Sequence, residues 1–522
     1  MFALYYPKKH EEKIKPNNIS IYCLLLFIYV GLIFSIPYSS KAQNEESNEL
    51  FNILPISDPN IHVFSAVSKA IYWEKMAEIA RSVGDKSAEN SNYNMALVFF
   101  NEANGLDTRS AFLYTKIAEL SMNIGDYKKA KSNVETALEF DPNNADARFL
   151  YGSIKYKIEQ DKAGALEEFR KSAEANPEHL RAQIYLASLA YDAEEYHLAA
   201  TAYSSLIKMR PYDAELRYRL GISYSKSGEI NKAIEEMKAA TMIDENHLDA
   251  HFQLALMYAN LNRNREAIEE CLIVIKRVPQ YPDVLLLLAQ LYTANEEYDK
   301  AISIANELIS KKNSLKEHLL AEAYYKMGMA YKEKGDIKTA YKNFDYSIEL
   351  YNSAMQKDQK NINLNFDIAI VYDAKGNIEM AKKHLGKLIW LKPNDAEAYN
   401  YLGYLLVENN EELELAIGYI QKALAIDPNN GAYRDSLGWA YLKAGKLDEA
   451  ISELERAAEL SPYDHEIYEH LGDAYLTKGG EYTQRAIQEW EKALELKPNK
   501  AKLRQKLNNL YAQINSGNML EK

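Results

Sequence analysis

The clearest alternation of apolar and polar positions lies at residues 431–464, GAYRDSLGWAYLKAGKLDEAISELERAAELSPYD. The pattern predicts a helix from about Ala432 to Ala444 and a second from about Leu447 to Leu460. Gly445 ends the first, because glycine takes positive φ at no steric cost. Pro462 ends the second, because it lacks an N–H and disfavours helix in the residue before it. Gly438 sits inside the first helix, where it costs about 0.5–1 kcal/mol relative to alanine; close approach of another backbone is a reason to tolerate it. Ala450 and Ala457 are seven apart, two turns of the second helix, and so share one face. Leu437, Tyr441, Ile451 and Leu454 supply the bulk between the two helices. So small a pair cannot cover both of its apolar faces and needs copies of itself as neighbours.

The copies are present. The alanine equivalent to Ala450 recurs as Ala96, Ala130, Ala165, Ala199, Ala233, Ala267, Ala301, Ala340, Ala381, Ala416 and Ala486, mostly at a spacing of 34. A proline twelve residues later is frequent, as at Pro142, Pro177, Pro211, Pro279, Pro393, Pro428 and Pro498. The period of this helix–turn–helix unit resembles the tetratricopeptide repeat over about residues 70–500. The resemblance implies an all-α, right-handed superhelical solenoid of about twelve helix pairs, closed by a capping helix. The repeats are expected at 61–320, with an elongated unit at 321–361 and a second array with its cap at 362–514, before a tail at 515–522. Two long spacings, around 311–322 and 349–361, predict longer helices there that bend the array or divide it. In the first repeat, a helix is expected from about Ile61 to Val83, and SVGDKSAENSNYN (82–94) reads as a long loop.

The resemblance also implies that the first helix of each pair lines a concave groove, with its fifth residue pointing inward. That position carries Phe149, Ile184, Tyr218, Phe252, Leu286, Tyr325 and Phe366, then Asn400, Asp435 and Glu469. One turn on, the last three repeats place Tyr404, Trp439 and Asp473. The expectation is an apolar trough that becomes polar and acidic, with exposed aromatics that mark protein contact. Several of the seven apolar residues could equally be covered by their neighbours. Some members of the family clamp a chain-terminal carboxylate with Lys, Asn and Arg; acid at these positions would repel one, so basic or neutral segments suit this groove better. The column Tyr224, Tyr258, Tyr292, Tyr331, Tyr372, Tyr441 and Tyr475 reads as repeat core.

The net charge is −13; five lysines against two acids in the first 42 residues leave −16 on the rest. That balance argues against a nucleic-acid partner, because phosphate binding needs clustered Lys and Arg. With two cysteines, Cys23 and a core-facing Cys271, neither a disulfide framework nor a cysteine metal site is available. His465 and His470 are five apart, which points their rings about 140° apart on a helix and reads as a surface pair rather than a metal site. No P-loop, nucleotide-binding glycine motif, nucleophile elbow or Cys-x-x-Cys is present, so no enzyme and no cofactor is expected.

Residues 1–42 have the layout of an export signal: Lys8, Lys9, Lys13 and Lys15, an uncharged run Ile19–Ile36, then Ser40-Lys41-Ala42. Cleavage after Ala42 and retention as a membrane anchor through 19–36 both fit, and either sends the repeats across the membrane. A polar linker, 43–60, follows. The last repeats resemble those of envelope tetratricopeptide lipoproteins of Gram-negative bacteria, although no lipid-acceptor cysteine follows the apolar run. The implied role is an exported, periplasmic or envelope scaffold or adaptor whose partners are other proteins. Delivery of substrates to an envelope protease and a scaffold for polysaccharide export are the alternatives.

Overall fold

The computed structural model describes residues 59–311 and 315–515. The apolar run 19–36, Ala42 and the tail 516–522 lie outside the described residues. Among those described, every regular element is helical. Twelve antiparallel pairs follow one another: α1 (Pro59–Ser82) with α2 (Lys86–Leu106), α3 (Ala111–Asn123) with α4 (Tyr127–Phe140), α5 (Ala145–Ile154) with α6 (Lys162–Ala175), and α7 (Leu180–Asp192) with α8 (Tyr196–Met209). Then come α9 (Ala214–Lys226) with α10 (Ile230–Ile243), α11 (Leu248–Asn260) with α12 (Asn264–Arg277), α13 (Pro282–Ala294) with α14 (Tyr298–Ser310), and α15 (Glu317–Glu333) with α16 (Ile337–Lys357). The last four are α17 (Leu364–Ala374) with α18 (Ile378–Leu391), α19 (Ala396–Glu408) with α20 (Leu413–Ile426), α21 (Gly431–Lys443) with α22 (Leu447–Leu460), and α23 (His465–Lys478) with α24 (Thr483–Leu496). A single helix, α25 (Ala501–Asn515), follows them.

The alanine column explains the pairing. All twelve of these alanines are at most 1% exposed. Each sits where its second helix presses on the first. At Gly438 a Cβ would come within 2.5 Å of Leu454 Cγ and 3.1 Å of the Ala450 carbonyl oxygen, so only glycine lets the two backbones meet. Gly445 turns the chain between the helices at φ +75°. Asp or Asn side chains cap many of the helices; the Asn430 carbonyl oxygen accepts from the amides of Ala432 and Tyr433. A polar strut recurs inside several pairs: Arg148–Glu168, Arg217–Glu236 and Arg434–Glu453, at 2.7–2.8 Å. In α11/α12 the strut is His251 to Glu270 at 2.5 Å.

One expectation needs correction. Residues 82–94 are not a loop: Asp85 accepts from the Ala88 amide and caps α2, which begins at Lys86. No glycine or proline interrupts the stretch after Gly84, so the second helix is simply long. The chain forms two compact units that meet at Ala182/Gln183. The extra residues at 311–361 lengthen α15 to 17 and α16 to 21 residues, as predicted, and Lys357 pairs with Glu317 between them at 2.5 Å. The pair lies inside the second unit, sharing the core around Phe344, Ile348 and Tyr351 with α17. In the first unit, α5 ends in a π-helical turn, Lys155–Glu159, that leaves Gln160 at φ +57°.

Cys271 is fully buried, and burial pushes its thiol up to about 12, as suits a small apolar core residue. The tyrosine column is core or packed against it: Tyr258, Tyr292 and Tyr475 are buried, and the other four are partly buried against neighbouring clusters.

Candidate functional site: the faces of the first helices

In the second unit, successive first helices lie against one another, α13 on α15, α15 on α17, α19 on α21 and α21 on α23, whereas successive second helices do not approach as closely. The first helices of this unit are therefore on the inside of the curve.

The apolar half of the expected groove is not a continuous trough. Phe149, in the first unit, is 2% exposed, wedged between Phe169 and His179 with Arg181 over its ring. Leu286 is 4% exposed and packs with Leu285, Leu308 and Ala323. Both are core residues rather than groove residues. Tyr218 and Phe252 are half-buried because a ring just before the next first helix folds over each: His247 at 4.9 Å and Tyr281 at 5.7 Å. His179 does the same to Phe149 at 5.1 Å. Tyr325 and Phe366 are half-buried against Phe344 and Tyr401, and burial pushes the Tyr325 phenol up to about 12. Ile184 alone of the seven is open, 43% exposed. The cover comes from positions 29 or 30 residues further on, a spacing that reading down position five alone does not reveal.

From α15 onward the face becomes polar. Lys326 donates to Gln290 Oε1 at 2.7 Å and lies 3.7 Å from Glu322; burial drives its ammonium below the usual lysine range. Asp367 has the opposite problem. Burial, then the charges of Glu322 and Glu397, push its carboxyl up to about 6, with Lys326 opposing them. Tyr401 donates to Asp373 at 2.7 Å. Asn400 lies half-buried beside it, its Oδ1 shielded from solvent and without a hydrogen-bond partner.

Further on, Trp439 is the hub. Its indole stacks on His470 at 4.3 Å and 18°, its Nε1 donates to Glu408 at 2.7 Å, and Lys443 lies over the ring at 4.4 Å. His470 Nδ1 bridges both oxygens of Asp435 at 2.9 and 3.1 Å. Burial alone would lower the His470 imidazole, but the charge and hydrogen bond of Asp435, with Glu466 and Asp473 nearby, raise it. Tyr404 is half-buried, its phenol pushed up by burial and the carboxylates of Glu408, Glu466 and Asp435.

The acidic end expected at Glu469 and Asp473 is largely neutralised. Lys500 pairs with Glu469 and Lys506 with Asp473 at 2.8 Å; Lys506 lies on the terminal helix and Lys500 immediately before it. Trp490 Nε1 also donates to Asp473 at 3.1 Å. Burial works to raise the Glu469 carboxyl, but the hydrogen bond and charge of Lys500 leave it lowered. The uncompensated negative charge lies instead at Asp367 and Glu397, both raised chiefly by burial. His465 is not a surface residue: it is 3% exposed, and burial, then Lys500 and Lys497, push it down to about 4. No group of three or more His, Cys, Asp or Glu side chains placed to hold a metal occurs among the described residues.

Family models described as tetratricopeptide repeat match residues 159–214, 184–251, 218–282, 252–314 and 366–431, and again 113–144 and 321–353; a further TPR repeat model matches 438–479. The TPR repeat-containing protein PA4667 of Pseudomonas aeruginosa is 32% identical over 114 residues, which is 22% of this chain and 19% of that protein. Protein O-mannosyl-transferase TMTC3 of Homo sapiens is 24% identical over 312 residues, 51% of this chain and 33% of its own length. The chain thus spans a third or less of these two curated relatives. Among solved structures, yeast Tom70 is similar at 15% identity over 89% of this chain and 98% of that one, with a TM-score of 0.41. A tetratricopeptide repeat protein from Parabacteroides merdae is similar at 16% identity over 50% of this chain and 98% of that one, with a TM-score of 0.40.

Proposed function

We propose, from the premise that this chain belongs to the tetratricopeptide-repeat family, that it is a non-enzymatic scaffold or adaptor that takes extended protein segments on the inner face of its second unit. The observation that carries this reading is the run of half-buried aromatic and polar side chains on successive first helices, from Glu322 on α15 to His470 on α23. Half-buried rings offer apolar contact, and the hydrogen-bonded carboxylates beside them offer acceptors; both are what an extended chain with spare backbone N–H groups can use. The uncompensated carboxylates at Asp367 and Glu397 favour segments bearing lysine or arginine over acidic ones.

The export layout of residues 1–42 supports a location outside the cytoplasm, in the periplasm or cell envelope, with the chain either released by cleavage after Ala42 or held by 19–36. In this reading any membrane contact is through that segment, if it is uncleaved. This strip is tested by presenting immobilised extended peptides, matched in apolar content but rich in lysine or in glutamate, to the wild-type chain and to Trp439→Ala and Asp367→Asn. The lysine peptide should be retained by the wild type, less by Asp367→Asn and least by Trp439→Ala. Equal retention by all three, or preference for the glutamate peptide, contradicts the reading.

A further inference from the structure

In a solenoid each repeat touches only its neighbours, yet the second unit breaks that rule. Asn231, at the start of α10, donates from Nδ2 to the phenol of Tyr463 at 3.3 Å, 232 positions further along. Tyr463 lies in the loop between α22 and α23. The next turn along, between α11 and α12, ends on Arg263, whose guanidinium lies within the electrostatic reach of the same phenol. The turn after that, between α13 and α14, puts Glu296 against a cleft of about 560 Å³ whose opposite wall includes Pro498, Asn499 and Arg504 at the start of α25.

These are three successive turns on one edge and two successive loops on the other. Each contact spans about six helix pairs. An offset of that size is what a coil makes when it comes round and meets itself. The elongated pair α15/α16 falls between the two edges along the chain.

We infer that α9 to α25 form one closed turn, and that the contact of the Asn231–Arg263–Glu296 edge with the Tyr463–Asn499–Arg504 edge is a latch along the side of the groove. The contact is weak by construction. Asn231 and Tyr463 are both exposed, and an exposed neutral hydrogen bond competes with water on nearly equal terms. A solvent-open cleft, not an apolar cluster, fills the adjoining stretch. The latch therefore opens and shuts without unfolding any repeat. Shut, it admits a chain only from an end of the coil; open, it lets a segment be laid in from the side. That consequence for entry rests on the groove being the binding surface, whereas the closure itself does not.

The test is made on the full chain with no partner present. Spin labels are placed at Glu235→Cys and Glu466→Cys, exposed positions on α10 and α23 outside the contact, with Cys23→Ser and Cys271→Ala to remove the native thiols. The inter-label distance is then compared with and without Asn231→Ala plus Tyr463→Ala. The expected result is a short, narrow distribution that becomes longer and broader when the two contact residues are removed, with the helical circular dichroism unchanged. A long distance in the labelled chain that keeps both contact residues, or a distance indifferent to their removal, overturns the latch. Neither result bears on whether peptides bind the strip, so the two ideas fail separately.

Discussion

Two stretches of the same inner face differ sharply. From α9 to α13 the fifth position carries Tyr218, Phe252 and Leu286, and each is covered by neighbours within the array. From α19 to α23 the same position carries Asn400, Asp435 and Glu469: Asp435 holds the His470 that stacks on Trp439, Glu469 pairs with Lys500, and the Asn400 Oδ1 is shielded without a partner. The fold is identical in both; the side chains decide whether a face is sealed or offered. An apolar residue at an inward position is buried by whatever ring the next repeat supplies. A charged one such as Asp435 or Glu469 takes up a partner, and the contacts leave acceptors and the Trp439 ring available.

That contrast can be broken from either side. The largest effect belongs to the sealed stretch: Leu286→Ala removes a buried side chain and should cost about 2–5 kcal/mol of stability, seen as a lowered urea midpoint, while peptide retention at temperatures where the chain is folded stays unchanged. Next is Asp367→Asn. Its folded carboxyl sits at about 6, above the ordinary aspartate value, so the folded state holds its proton more tightly than the unfolded state. Stability from this group is therefore lost as pH rises through the window between about 4 and 6, by on the order of 2 kcal/mol. Asp367→Asn should accordingly raise the Tm at pH 7 and leave it nearly unchanged at pH 4.

His470 runs on the charge of Asp435. Because its imidazole is raised in the fold, its contribution is fully present below the unfolded histidine value and fades as pH climbs through the folded one. His470→Gln should then lower the Tm at pH 6 and hardly at pH 9. In the wild type, the stacked Trp439 fluorescence should brighten with a midpoint above that of a free imidazole; a midpoint at or below the free value would refute the pairing. The smallest effect sharpens the comparison directly. Tyr281→Ala uncovers Phe252, should cost about 0.5–1.5 kcal/mol, and should extend apolar-probe binding into the sealed stretch.

The architecture was legible because one small residue per pair is irreplaceable. The alanine column Ala96 to Ala486 places all twelve helix pairs, and the long spacings locate the extended α15 and α16. The site was legible only in part. Trp439, Asp435 and Asn400 are half-buried or polar as expected of an open face, but Phe149 and Leu286 are buried, since the period fixes which way a helix points and not what the next repeat folds over it. The neutralisation of Glu469 and Asp473 escaped because Lys506 lies on the terminal helix, outside the repeat pattern, and Lys500 immediately before it. His470 looked like a surface residue until Trp439 and Asp435, a repeat earlier, closed on it from the neighbouring helix. The turn-to-turn contact of Asn231 with Tyr463 has no local signature at all.

The central claim is that the inner face around Tyr404 and Trp439, and not the outer face, is where partners sit. The most direct measurement is photo-crosslinking in intact cells from a photoreactive residue at position 404, compared with one at position 390, where the native Trp390 is 79% exposed on the second helix α18. Discrete polypeptide adducts from position 404 and none from position 390 are predicted. Adducts from position 390 with a silent position 404 would contradict the account.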